Sequence, residues 1–516
     1  MSVTAPPGRV QTALASNKLG ALDLMFFAVA AAAPLTILVG LVPTAWQVTS
    51  ATGLPLAFVI LGVILAVFSV GYVAMAKRIR HTGAFYSYIA QGAGKPFGVA
   101  AAFIAVPAYG ILAIALFGAI GPTAVALLPE PVSDKVPWWV MAVLVLIFVA
   151  VMGMLRVDVN GKVLAIALLA EVVLVVVCDV IDLVHPAGGR VGLETLRPAS
   201  LGGWESTAVA FAICVSSFIG FENPTNLSEE SKDSQRTVGR AITRGLAVMT
   251  LLYAGSVWAL GVAIGPEQLR QAAAEHPTDL PFAVAARYAG GQVLVDIGQW
   301  LLLTSLVAAA VSYHNNVTRY LFALGRERVL PAALGRTAPR TFAPRNASLL
   351  LSAVTFAVIM TYALAGADPM VQLFYWLGTG GGFGILLLIV GTSLSVPCYF
   401  WQHRHTPRTT PGSGRISVWQ AYIAPLAAAV MLGWIAWLIV EHFAGLLNVA
   451  PDSAMRWAFP AGYGLLAVAG GVWAFILYLH RPAVYAAVGL GTTPAAALAG
   501  TAPHPTAYSG TPGGVR

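Results

Sequence analysis

Ala31-Ala32-Ala33-Pro34-Leu35-Thr36 interrupts an apolar run over residues 22–49, and Phe218-Ile219-Gly220-Phe221-Glu222-Asn223-Pro224 interrupts another over 206–226. Each run is long enough to cross a bilayer core, which takes about 20 apolar residues as a helix. Proline removes a backbone donor and clashes with the preceding turn, while glycine permits backbone angles that other residues resist. A helix broken inside a membrane frees N–H and C=O groups, which are tolerated only where protein or a cavity receives them. A half-helix start can bind a carboxylate, and freed carbonyls can bind a cation. Two mid-span breaks therefore mark the place to look for a ligand.

The rest of the chain supports a membrane reading. Of 516 residues, 58% are hydrophobic and 10% charged, against roughly a quarter charged in soluble proteins. A water-soluble fold this apolar would expose large hydrophobic patches. Twelve runs qualify as spans: about 22–49, 54–76, 97–128, 137–155, 163–184, 206–226, 242–265, 291–313, 347–366, 371–396, 418–440 and 458–479. The first is too long for the apolar core of a signal peptide and reads as a retained span. The first and third exceed the bilayer, which implies tilt, a break or extramembrane helix.

Charge placement tests the count. With the N-terminus in the cytoplasm and strict alternation, only Lys135, Arg190, Arg197, Arg270, Arg287 and Arg456 of the 29 Lys and Arg fall outside. Cytoplasmic loops carry such an excess of basic residues, so the bias supports twelve spans with both termini inside, in the cell inner (plasma) membrane. The net charge of +8 follows this membrane pattern, and no nucleic-acid partner is expected. The fold class is therefore all-α, with about twelve transmembrane helices.

The breaks fall in spans one and six. Two repeats of five helices would make these equivalent, and an odd number per repeat inverts the second relative to the first. Repeat one then covers about 20–184 and repeat two about 205–396, with extra helices over about 418–479. The division is a tail over 1–19, a twelve-helix membrane domain over 20–480, and a tail over 481–516 expected to be disordered from its Ala, Gly, Thr and Pro content.

Several segments carry a family resemblance. These are Gly83-Ala84-Phe85-Tyr86-Ser87-Tyr88 with Gly92, Gly94 and Pro96; Phe218 to Glu222 followed by Glu229-Glu230-Ser231-Lys232; Arg319 to Glu327 followed by Leu330-Pro331; and Leu373 to Thr379. Over about residues 20–480 the chain resembles the amino acid–polyamine–organocation superfamily. That resemblance implies the five-plus-five inverted-repeat fold of the bacterial leucine transporter and secondary transport of an amino acid or related amine by alternating access. Spans 1, 2, 6 and 7 would rock against the others. Many members carry Gly-Ser-Gly at the first break, where this chain has Ala-Ala-Ala-Pro-Leu-Thr.

The resemblance and the dipole argument together place a substrate carboxylate on the backbone of Ala32, Ala33, Leu35 and Thr36. By the resemblance, Phe218 is the aromatic that closes over substrate, though core packing would also use it. Gly220 would permit the unwound turn. Glu222 either anchors the break through freed N–H groups or meets a substrate amine. Glu171 lies mid-span in the fifth helix, where an ionisable group is a functional hypothesis by default. It either exchanges the coupling proton or is neutralised by a neighbouring helix.

Other classes fit less well. The nine histidines are scattered and show no metal spacing, and there is no nucleophile elbow. No enzymatic activity, metal or cofactor is expected. An ion channel would need a repeated filter motif or rings of like charge. No Gly-x-x-x-x-Gly-Lys-[Ser/Thr] motif is present, so an ion gradient should supply the energy. A proton is the expected coupling ion, with solute exchange as the alternative.

Overall fold

The computed structural model describes Leu14 and residues 18–49, 51–404 and 416–491. Among the described residues the regular structure is helical, apart from an isolated bridge between Leu19 and Ser231. Eleven helices are long and apolar enough to span a membrane, and a shorter apolar helix, Trp138–Met154, makes twelve. In chain order the spans are Ala21–Val48, Leu54–Ala76, Lys95–Ala126, Trp138–Met154, Val157–Val184, Trp204–Asn226, Ser234–Ile264, Gly291–Arg326, Arg345–Leu364, Pro369–Gln402, Trp419–Glu441 and Ala454–His480. They are called the first to the twelfth below.

The first and sixth spans lie deepest. In each, 78% of the apolar window is buried, against at most 67% in any other span. The two broken helices therefore sit where their freed backbone groups meet protein rather than lipid. The first packs against the fifth, seventh and eighth, the second runs along the seventh, and the third meets the eighth, tenth and twelfth. Side chains such as Leu144, Ile166, Leu169, Leu465 and Phe475 face outward and form the surface that lipid would cover.

Two helix ends differ from expectation. The eighth span was expected to close near residue 313, at the polar Tyr313-His314-Asn315-Asn316. It continues to Arg326 because all four side chains are buried against neighbouring helices. His314 bonds Ser348 at 2.8 Å, a structural role. The described start of the tail, residues 482–491, is structured. Pro482, at the favoured first helical position, opens a short helix to Ala487. The N–H groups of Gly489 and Gly491 then donate to the Glu327 carboxylate at 3.1 and 2.8 Å. Composition does not reveal an acceptor 160 residues away. Residues 492–516 and most of 1–17 lie outside the described residues. Near the ends of the fifth and tenth spans, Asp182 is buried and Cys398 is exposed.

At the basic end of the bundle the connections are locked together. Glu229, after the sixth span, takes two bonds from Arg326 at 2.7 and 2.8 Å. Arg319 reaches Glu230 at 2.6 Å, and His81 bonds Glu327 at 2.8 Å. Burial pushes the Glu229 carboxyl up, but the Arg326 guanidinium outweighs it and holds the group below the usual carboxylate range.

Candidate functional site

In the first span the break falls one residue before the proline. The helix Ala21–Ala32 ends, Ala33 turns left-handed at φ 46, and Pro34 starts the next helical turn. Proline disfavours helical backbone in the residue before it, which explains the position. A left-handed non-glycine residue is strained, and such strain collects at functional sites. A π-helical stretch, Ile37–Leu41, follows.

Neighbouring helices answer the freed groups. Tyr253 of the seventh span donates to the Ala32 carbonyl at 3.1 Å. The Glu171 carboxyl accepts from Ser305 at 2.8 Å and lies beside the Leu35 N–H at the start of the second half of the first span.

In the sixth span the helix stops at Phe218 and resumes at Asn223. Gly220 carries φ +121, and a Cβ there would lie 2.8 Å from both the Ala28 carbonyl and the Ala31 Cβ. The two breaks thus pass each other at Gly220. Gly220→Ala is expected to cost about 1–3 kcal/mol in strain, read as a lowered Tm; an unchanged Tm would contradict this geometry. Glu222 is fully buried, accepting from the Gly220 N–H at 2.9 Å and from Tyr109 of the third span at 2.5 Å. Below it, Asn316 donates to Asn223 at 2.8 Å and accepts from Asn226, tying the sixth span to the eighth.

A cavity of about 60 Å³ opens beside the first break. Ala32, Ala33 and Thr36 line it, with Ser216 from the sixth span, Tyr313 from the eighth and Tyr375 from the tenth. Of the expected site residues, Leu35, Phe218, Gly220, Glu222 and Glu171 are not on its wall. Phe218 packs instead against Phe58 and Tyr253, at 6.1 and 5.8 Å between ring centroids. The aromatic wall is Tyr313, Phe374 and Tyr375. Phe374 and Tyr375 sit on a π-helical stretch, Pro369–Trp376, and Leu373 to Thr379 had already stood out in the sequence. Tyr313 and Ser216 had no sequence signal beyond lying in a span.

A buried cavity at a helix break, inside a twelve-helix membrane bundle, defines the class as a polytopic membrane protein built to hold a small solute. A sequence model of the amino acid permease family matches residues 23–484, and the chain belongs to that family. The chain is similar to uncharacterized transporter Rv1999c of Mycobacterium tuberculosis, 31% identical over 150 residues, 29% of this chain and 33% of the relative. The match thus spans one third of that relative's length. It is also similar to the low-affinity putrescine importer PlaP of Escherichia coli K12, 22% identical over 62% of this chain and 67% of the relative. The glutamate/serine transporter AimA of Bacillus subtilis is 25% identical over 31% of this chain and 30% of the relative.

Proposed function

We propose that the chain is a secondary active transporter that moves an amino acid or related amine across the plasma membrane by alternating access, as a proton-coupled symporter. The observation that carries this reading is the cavity at the first break, walled mainly by the first, third, sixth, eighth and tenth spans. A site at the crossing of broken helices is how secondary transporters hold solutes. Membership of the permease family and the names of the transporter relatives support the solute class.

Repeat one (about 20–184) and repeat two (about 205–396) would be inverted copies, each starting with a broken span, and spans 1, 2, 6 and 7 would move together. The basic excess on one face supports cytoplasmic termini. Glu171 is the proposed proton carrier. Its carboxyl is buried, lies beside the Leu35 N–H of the break and accepts from Ser305. The proposed substrate contacts are the backbone at Ala32, Ala33 and Thr36, with Leu35 joining when Glu171 is protonated. Phe218, Gly220 and Glu222 shape the breaks from behind.

Purified protein in liposomes tests the reading. Uptake of labelled amino acids or amines that rises under an inward proton gradient supports symport. Uptake that requires solute preloaded inside identifies an exchanger. No uptake by folded protein overturns the proposal.

A further inference from the structure

We infer that the cavity selects neutral amino acids and rejects those with a charged side chain, with the Thr36 hydroxyl as a specificity contact. The inference rests on the transporter reading above and adds the substrate class.

The lining contains no carboxylate, ammonium, guanidinium or imidazole. The two buried acids nearest the breaks are off the wall and bonded elsewhere, Glu222 to Tyr109 and the Gly220 N–H, Glu171 to Ser305. A cationic side chain or the second ammonium of a diamine would therefore enter without a counter-charge. An acidic side chain would find no cation. Unpaired charge in a low-dielectric site is strongly penalised.

A zwitterionic head group is treated differently. Its carboxylate and ammonium can take hydrogen bonds from hydroxyls and freed backbone, and their charges neutralise each other. The cavity offers such groups. Thr36 is among the residues lining the cavity, is 5% exposed, and its buried Oγ1 has no hydrogen-bond partner. An unpaired buried hydroxyl costs free energy unless a ligand satisfies it. The hydroxyls of Ser216 and Thr379 line the same space. Around them the wall is hydrocarbon, including Leu41, Leu112, Leu116, Ile213 and Leu446. This wall suits an aliphatic or small hydroxylated side chain. Of the solutes in the relatives' names, serine fits this chemistry; putrescine and glutamate do not.

The test uses the full chain in liposomes. Labelled alanine, serine and leucine are competed with each other and with lysine, putrescine and glutamate. Neutral amino acids are expected to compete at concentrations about a hundredfold lower than the charged solutes, the scale set by placing an unpaired charge in a membrane interior. Thr36→Val, which keeps the side-chain shape, is expected to weaken neutral substrates about tenfold while the ligand-free Tm is maintained or raised, because an unpaired buried hydroxyl is removed. Charged solutes that compete as well as neutral ones would overturn the charge selection and leave the transporter standing. Unchanged affinity in Thr36→Val would overturn the role of Thr36. If no solute of either group is transported or raises the Tm, the transporter reading falls as well.

Discussion

Proton-driven uptake in Glu171→Gln is expected to fall by about tenfold or more, which corresponds to about 1.4 kcal/mol of lost coupling. Substrate binding and solute exchange should persist. The reasoning starts from acceptor capacity. An ionised carboxylate only accepts, and Glu171 accepts from Ser305 at 2.8 Å and lies beside the Leu35 N–H. A proton on the carboxyl removes its charge and turns one oxygen into a donor that the Ser305 hydroxyl can accept, which weakens its attraction for the Leu35 N–H. That N–H, at the break, then becomes available to a substrate carboxylate. Proton and substrate then favour the same state of the first span, and linkage makes the effect reciprocal. Glutamine preserves the shape but cannot take up or release the proton. The measurement is uptake with and without an inward proton gradient, beside exchange across equal pH. Equal gradient stimulation in Glu171→Gln and the parent would sink the coupling role.

The fold was legible for a simple reason. A bilayer demands long apolar helices, and the alternation of basic loops counts them. The two breaks were also legible, because proline and glycine act locally on the backbone. The breaks lie where Pro34 and Gly220 mark them. The chemistry around them was less so, since it depends on which side chains from distant spans arrive. Glu171 stood out as a mid-span acid, but its contact with Leu35 N–H joins residues 136 positions apart. Phe218 was expected at the substrate, and the fold turns it toward Phe58 and Tyr253. An aromatic on a helix break can point to either side, and spacing alone does not choose. Glu222 left two readings open in the sequence, and the Tyr109 and Gly220 bonds are those of an anchor. Thr36 was named for its backbone, whereas its hydroxyl is the unpartnered group.

Arg326→Gln is expected to lower stability by about 3–5 kcal/mol, the usual consequence of removing one partner from a buried ion pair. It should also reverse the local pH dependence. Glu229 accepts two bonds from Arg326, with 14% and 9% of the two side chains exposed. In the parent the guanidinium holds Glu229 below its ordinary range against the opposing effect of burial. Stability from this group is therefore fully present above the unfolded carboxylate value of about 4.3. It is lost as pH falls through the depressed folded value. In the variant, burial remains and only the Thr82 N–H at 3.3 Å and the more distant His81 still favour the charged form. The carboxyl then rises above its ordinary value and the sign changes. Its charged form is penalised, so the variant loses stability as pH rises through the raised value and recovers it on acidification. Tm measured in detergent from pH 4 to pH 8 reads both effects. A variant whose Tm falls on acidification in parallel with the parent would show that Arg326 does not set the charge of Glu229. The pair bridges the connection after the sixth span to the end of the eighth, so the same substitution should also loosen the basic end of the bundle. Cysteine accessibility at position 82 in a Thr82→Cys background is expected to increase with it, since Thr82 N–H bonds the same carboxylate.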